Sequence, residues 1–133
     1  MSDTSSAAPD ESVFSVASML KYMGSDAKAL TVVVKIVTDA IAPGLAPLEQ
    51  ATTAIHEGRL DDACRIFHVM RGTVGSLGTK RFVQAALDLE LALRDGHGDF
   101  DANLAAVGRE YRLALDQAAA WLAAHGAGGR TLA

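Results

Sequence analysis

The chain has 133 residues, one domain's worth, and is 50% hydrophobic but only 5% aromatic, so its core has to be aliphatic and alanine-rich. Twelve Lys and Arg against sixteen Asp and Glu leave a net charge of −4, which argues against a dedicated binder of nucleic acid or anionic membrane. The single cysteine, Cys64, cannot close an intrachain disulfide, and nothing suggests an oxidising compartment.

The opening MSDTSSAAPDES has neither the basic nor the apolar region of a signal peptide, and residues 1–11 read as a disordered lead-in. No uninterrupted apolar run approaches the roughly 18–20 residues that cross a bilayer, so the chain is placed in the cytoplasm by elimination. Val16, Met19, Leu20 and Met23 recur at helical spacing and predict a short helix over about 13–23, closed by Gly24. Ser25 or Asp26 suits the cap of a second helix reaching about Ile41. Its centre, TVVVKIVT, has strand propensity. Helix is preferred there because Leu30, Val33, Val34, Val37 and Ile41 form one stripe, and a lone strand would have no partner.

Pro43, Gly44 and Pro47 then bend or break the chain before a segment ending near Gly58, either a third helix or a kinked continuation of the second. Further helices are expected over about 60–77, 79–94 and 100–124, separated by Gly78 and the turn DGHGD. The fold class is therefore all-α: an antiparallel up-and-down four-helix bundle over residues 12–125, with a short extra N-terminal helix. Residues 126–133 are expected as a flexible tail.

The informative stretch is 60–78, LDDACRIFHVMRGTVGSLG. At about 100° per residue, Ile66, Phe67, Val69, Met70, Val74 and Leu77 take the buried side, and Thr73 falls toward it. Asp61, Cys64, Arg65, Arg71, Gly72 and Gly75 lie with His68 on the other side. Two glycines on one helix face sacrifice about 1 kcal/mol each relative to alanine, so something is expected to approach His68 closely. An incidental histidine on a solvated face is the bland alternative. Cys64 and His68 stand at a metal-pair spacing with no further ligand placed to join them. His56, His97 and His125 read as ordinary surface residues, and Tyr111 and Trp121 as core.

The run HVMRGTVGSLG resembles the signature of histidine-containing phosphotransfer (HPt) domains: a histidine, a basic residue three later, glycine, a small hydroxyl residue, and a final Leu-Gly. These are His68, Arg71, Gly72, Thr73, Leu77 and Gly78, and Leu89-Glu90 matches a Leu-Glu pair in the family's next helix. The resemblance spans about residues 14–124. It departs in having Arg71 where lysine is commoner, and Gly75 where Ala or Ser is commoner.

The resemblance implies a phosphocarrier with no kinase site of its own. It would relay a phosphoryl group between aspartates of response-regulator receiver domains in a multistep two-component phosphorelay. His68 would be the phosphorylation site, through Nε2, and Arg71 would neutralise the phosphoryl charge. Gly72 and Gly75, flanked by Cys64 and Arg65, would let the partner dock. Glu90 would orient His68 through its other nitrogen, or else be an exposed charge or a partner for Arg71. The chain would need no cofactor of its own, with Mg²⁺ in the partner receiver domain. Its partners would be receiver domains and a hybrid sensor histidine kinase, with no nucleic acid and no membrane, and the chain would be a monomer. Two other readings are a detached phosphotransfer domain of a chemotaxis-type kinase and a helical adaptor that is never phosphorylated.

Overall fold

The computed structural model describes residues 10–126, and every element in it is helical. The expected C-terminal tail beyond Gly126 and the first nine residues lie outside the described range. Six α-helices follow in order: α1 Ala17–Met23, α2 Ala27–Ile41, α3 Ala46–His56, α4 Leu60–Val74, α5 Lys80–Asp95 and α6 Phe100–His125. A 3₁₀ turn, Gly75–Leu77, prolongs α4. In the bundle α4 lies between α3 and α5, while α6 packs on α5 and on α2.

Asp26 caps α2 by accepting from Ala29 N at 2.8 Å, and Asp99 caps α6 by accepting from Ala102 N at 2.9 Å. The β-branched run of α2 folds as helix because Val33 and Val37 fall on one stripe and are fully buried. Tertiary burial of that stripe overrides the local strand preference. The chain breaks at 42–45, where Gly44 takes a left-handed φ of +59°. Tyr111 pins that break by donating its hydroxyl to Gly44 O at 2.9 Å. The 25–58 segment is thus two helices.

By length and composition, Ala27–His56 is apolar enough to cross a membrane, at a mean hydropathy of 1.7, a feature hidden when uninterrupted runs are counted. In the structure the turn divides it, and Val33, Val37, Leu48 and Ala51 enter the core.

The core is aliphatic around Phe67 and Phe82, with the Phe82 ring centred 5.3 Å from Tyr111. Tyr111 is buried, whereas Trp121 is only half-buried and packs its ring 6.3 Å from Phe14. The first helix starts at Ala17 and not near residue 13. Residues 10–16 instead form a strap over the α4–α5 junction, with Val13, Phe14 and Val16 buried. Ser15 N donates to Leu77 O at 2.8 Å, and Arg81 N to Ser12 O at 2.9 Å. Arg81 ties the strap further, donating to Asp10 Oδ2 at 3.0 Å and to the buried Glu110 at 2.9 Å. Asp10 and Glu11, assigned by composition to the lead-in, therefore sit at the root of this strap. Gly78 serves both the turn and the strap: its φ is +70°, and a Cβ there would run into Ser15 O.

Candidate functional site

Helix α4 begins with Asp61 and Asp62 in its first turn and carries Arg71 in its last, the distribution the helix dipole favours. Phe67, Met70, Val74 and Leu77 are buried as expected, which leaves His68 on the exposed side. Two expectations fail on this helix. Val69, assigned to the buried side, is 60% exposed, and Thr73 is exposed as well. The reason is that α3 and α5 cover α4 over a narrower arc than its apolar residues span. Val69 and Thr73, with the half-buried Ile66, border instead an open groove of about 350 Å³. Ala40, Pro43 and Pro47 form its far wall.

Among the described residues His68 has one hydrogen-bond partner: Arg71 Nη2 lies 3.0 Å from its Nδ1. The guanidinium is itself held from behind by Glu90 of α5. Arg71 Nε donates to Glu90 Oε2 at 2.5 Å and Nη2 donates to Oε1 at 3.1 Å. Glu90 is 2% exposed, and both its oxygens are satisfied by this one side chain. The carboxylate raises the Arg71 pKa still further above its ordinary value, with hydrogen bonding the main cause, so Arg71 remains a donor. Glu90 therefore reaches His68 only through Arg71. This corrects the expectation of a direct bond from Glu90 to the imidazole. It is also neither exposed nor free.

A guanidinium has no lone pair to give, so Nδ1 of His68 is the acceptor in this contact. In the neutral imidazole the proton then resides on Nε2. That is the opposite tautomer to the one expected from a carboxylate at Nδ1.

The two glycines differ. A Cβ on Gly72 would meet nothing within 4 Å, so no packing need explains glycine there. A Cβ on Gly75 would lie 3.4 Å from Val83 Cγ2, so Gly75 also serves the approach of α4 to α5. Arg65 is exposed and bonded to Asp62 at 3.1 Å. Cys64 is half-buried and turned toward α5, with its thiol 3.6 Å from Glu90 O. Burial raises the Cys64 pKa, so the thiol stays protonated and is a poor metal ligand. Among the described residues no group of three His, Cys, Asp or Glu is placed to hold a metal.

The other histidines lie apart. His56 ends α3, and His97 is exposed in the turn between α5 and α6. His125 belongs to the last turn of α6: its ring stacks 4.6 Å from Trp121 and Nδ1 donates to Trp121 O at 2.9 Å. Sequence reasoning missed Leu91, which is 52% exposed on α5 directly after Glu90. The signal was present, since Leu91 stands two residues, and so about 200°, from the buried Leu89.

No curated protein and no solved structure matches the chain. Residues 38–121 match the family model described as the Hpt domain, a range that holds α3, α4, α5 and most of α6 together with His68, Arg71 and Glu90. The chain belongs to the Hpt domain family, the phosphocarrier modules of histidine phosphotransfer in phosphorelay signalling.

Proposed function

We propose that this protein relays a phosphoryl group between aspartates of receiver domains in a multistep phosphorelay, with His68 as the carrier residue. The observation that carries the reading is an exposed imidazole on a bundle face, with a guanidinium 3.0 Å away and open space at Gly72 one turn on. Imidazole is a competent nucleophile near neutral pH because much of it is uncharged and keeps a ring lone pair. Nε2 of His68 attacks the phosphorus of an aspartyl phosphate, and the carboxylate leaves with the P–O bonding pair. During the transfer Arg71 faces the phosphoryl oxygens with charge-assisted hydrogen bonds. The Mg²⁺ that the receiver holds supplies charge neutralisation on the partner's side.

A direct bond from Glu90 to His68 would favour a detached chemotaxis-type phosphotransfer domain. Glu90 is committed to Arg71, so that support falls away.

Incubating the chain with phosphorylated receiver domains tests the reading. The expected result is transfer of an acid-labile, base-stable phosphate to this chain. Absence of label with every receiver would favour the unphosphorylated adaptor.

The docking face makes a second expectation. Gly72→Gln fills exposed space on α4 and raises helix propensity, by up to about 1 kcal/mol. The melting temperature should hold or rise while transfer from the receiver slows. Normal transfer in a stable variant would show that the receiver approaches over another face.

A further inference from the structure

We propose that Arg71 gates the nucleophile of His68 by occupying its Nδ1, and that the buried Glu90 sets this gate by fixing the guanidinium. The inference rests on His68 being the phosphorylated residue. One nitrogen of Arg71, Nη2, bridges the two groups: it donates to Glu90 Oε1 at 3.1 Å and faces His68 Nδ1 at 3.0 Å. Nε completes a two-point grip on the carboxylate at 2.5 Å. The imidazole is thereby held with its proton on Nε2, which has no in-plane lone pair to offer. The lone pair that does exist, on Nδ1, is covered. Neither ring nitrogen is ready to attack as it stands.

Reaction requires Arg71 to leave Nδ1. Water then gives a proton to Nδ1 and takes one from Nε2, which frees the Nε2 lone pair. Nε2 forms the N–P bond to the acyl phosphate, the P–O bond breaks, and its electron pair returns to the aspartate carboxylate. The ring keeps its Nδ1 proton and a positive charge, both lost when that proton passes to water. Arg71 closes on Nδ1 again. A phosphohistidine without the Nδ1 proton has only an imidazolate to expel, so it resists attack by water. Onward transfer runs the same steps in reverse, with Nδ1 reprotonated and the N–P pair returning to Nε2.

The opening force is charge. Arg71 keeps a 22% exposed side chain, and among the described residues its Nη1 has no hydrogen-bond partner. Nη1 is thus the atom left to engage an incoming phosphoryl dianion, which competes with Glu90 for the guanidinium. A docked receiver brings such a dianion. Solvent does not.

Phosphoramidate is the probe, because it donates a phosphoryl group without a docking surface. Glu90→Gln keeps the side-chain shape and removes the charge that anchors Arg71. Its rate of labelling by phosphoramidate should rise about three- to tenfold, in step with the larger fraction of molecules whose Nδ1 is free. The phosphohistidine formed should hydrolyse faster by a similar factor. The ¹⁵N spectrum of the wild-type protein, at a pH where His68 is neutral, should show the proton on Nε2 and a hydrogen-bonded acceptor at Nδ1. The His68→Gln spectrum identifies the signal among the four histidines. A wild-type proton on Nδ1 overturns the gate alone, and needs no variant to fold. Unchanged labelling and hydrolysis in Glu90→Gln also overturn it. Absence of phosphate on His68 in every chain overturns the functional reading, and the gate with it.

Discussion

His68→Gln should take up no phosphate from a phosphorylated receiver domain, whereas the wild-type chain should be labelled. The amide nitrogen of glutamine has its lone pair delocalised into the carbonyl and is no nucleophile, so the chemical step is lost and not merely slowed. The fold should survive. His68 is exposed on α4, and substitutions at such positions usually shift stability within about 0.5 kcal/mol. Glutamine also offers a carbonyl oxygen that accepts from Arg71, so the pairing of Arg71 with Glu90 is kept. The remaining histidines stand at the end of α3, in the α5–α6 turn and against Trp121, none of them bonded to Arg71. Radiolabel transfer, read as acid-labile and base-stable phosphate, is measured alongside a thermal melt of the same variant. Equal labelling with an unchanged melt would remove His68 from the mechanism.

The signature run of α4 was legible because helix geometry is local: a 100° rotation per residue assigns His68, Arg71 and Gly72 to one side whatever surrounds the helix. How much of the other side is covered is not local. Val69 and Thr73 stand in the apolar arc by angle, yet they are exposed beside an open groove whose other side is formed by Ala40, Pro43 and Pro47. The strap of residues 10–16 shows the same limit. Its order comes from Leu77 O, Arg81 and the glycine at 78, all more than 60 positions along the chain. Sequence shows Val13, Phe14 and Val16 among acids and serines there, but not the distant groups that hold them.

Glu90 is the instructive residue. Its match to a family pair marked it for attention, and its spacing from Phe82, Ala86 and Leu93 on α5 places it on the buried face, but nothing local names the partner that burial requires. Burial of a carboxylate requires a partner that satisfies both oxygens, and that partner lies 19 residues away on another helix. The same long-range pairing fixes the His68 tautomer. The residues of the site could thus be named from the sequence, while the order in which they touch could not.

Arg71→Ala should damage the site in two separable ways. Transfer from the receiver should slow by roughly tenfold or more, about 1.4 kcal/mol or above, because the cation facing the phosphoryl oxygens is gone. Stability should fall as well, against what an exposed-face arginine would suggest. Glu90 keeps a side chain only 3% exposed and loses both hydrogen bonds, leaving a buried carboxylate without compensation. Breaking a buried pair from one side costs about 3–5 kcal/mol when both partners are sequestered. The 22% exposure of Arg71 lets water reach the vacated space, so a loss of about 2–4 kcal/mol is expected. At roughly 3–5 °C per kcal/mol for a domain of this size, the melting temperature should drop by about 10 °C. Adding Glu90→Gln to Arg71→Ala removes the stranded charge at almost constant volume. The double variant should recover much of the stability and none of the transfer rate, a non-additivity expected of residues in direct contact. Melts and transfer time courses on both single variants and the double variant complete the cycle. Recovery of transfer along with stability would show that Arg71 acts only by holding Glu90 in the fold. Failure to recover stability would show that the two residues are energetically independent despite their contact.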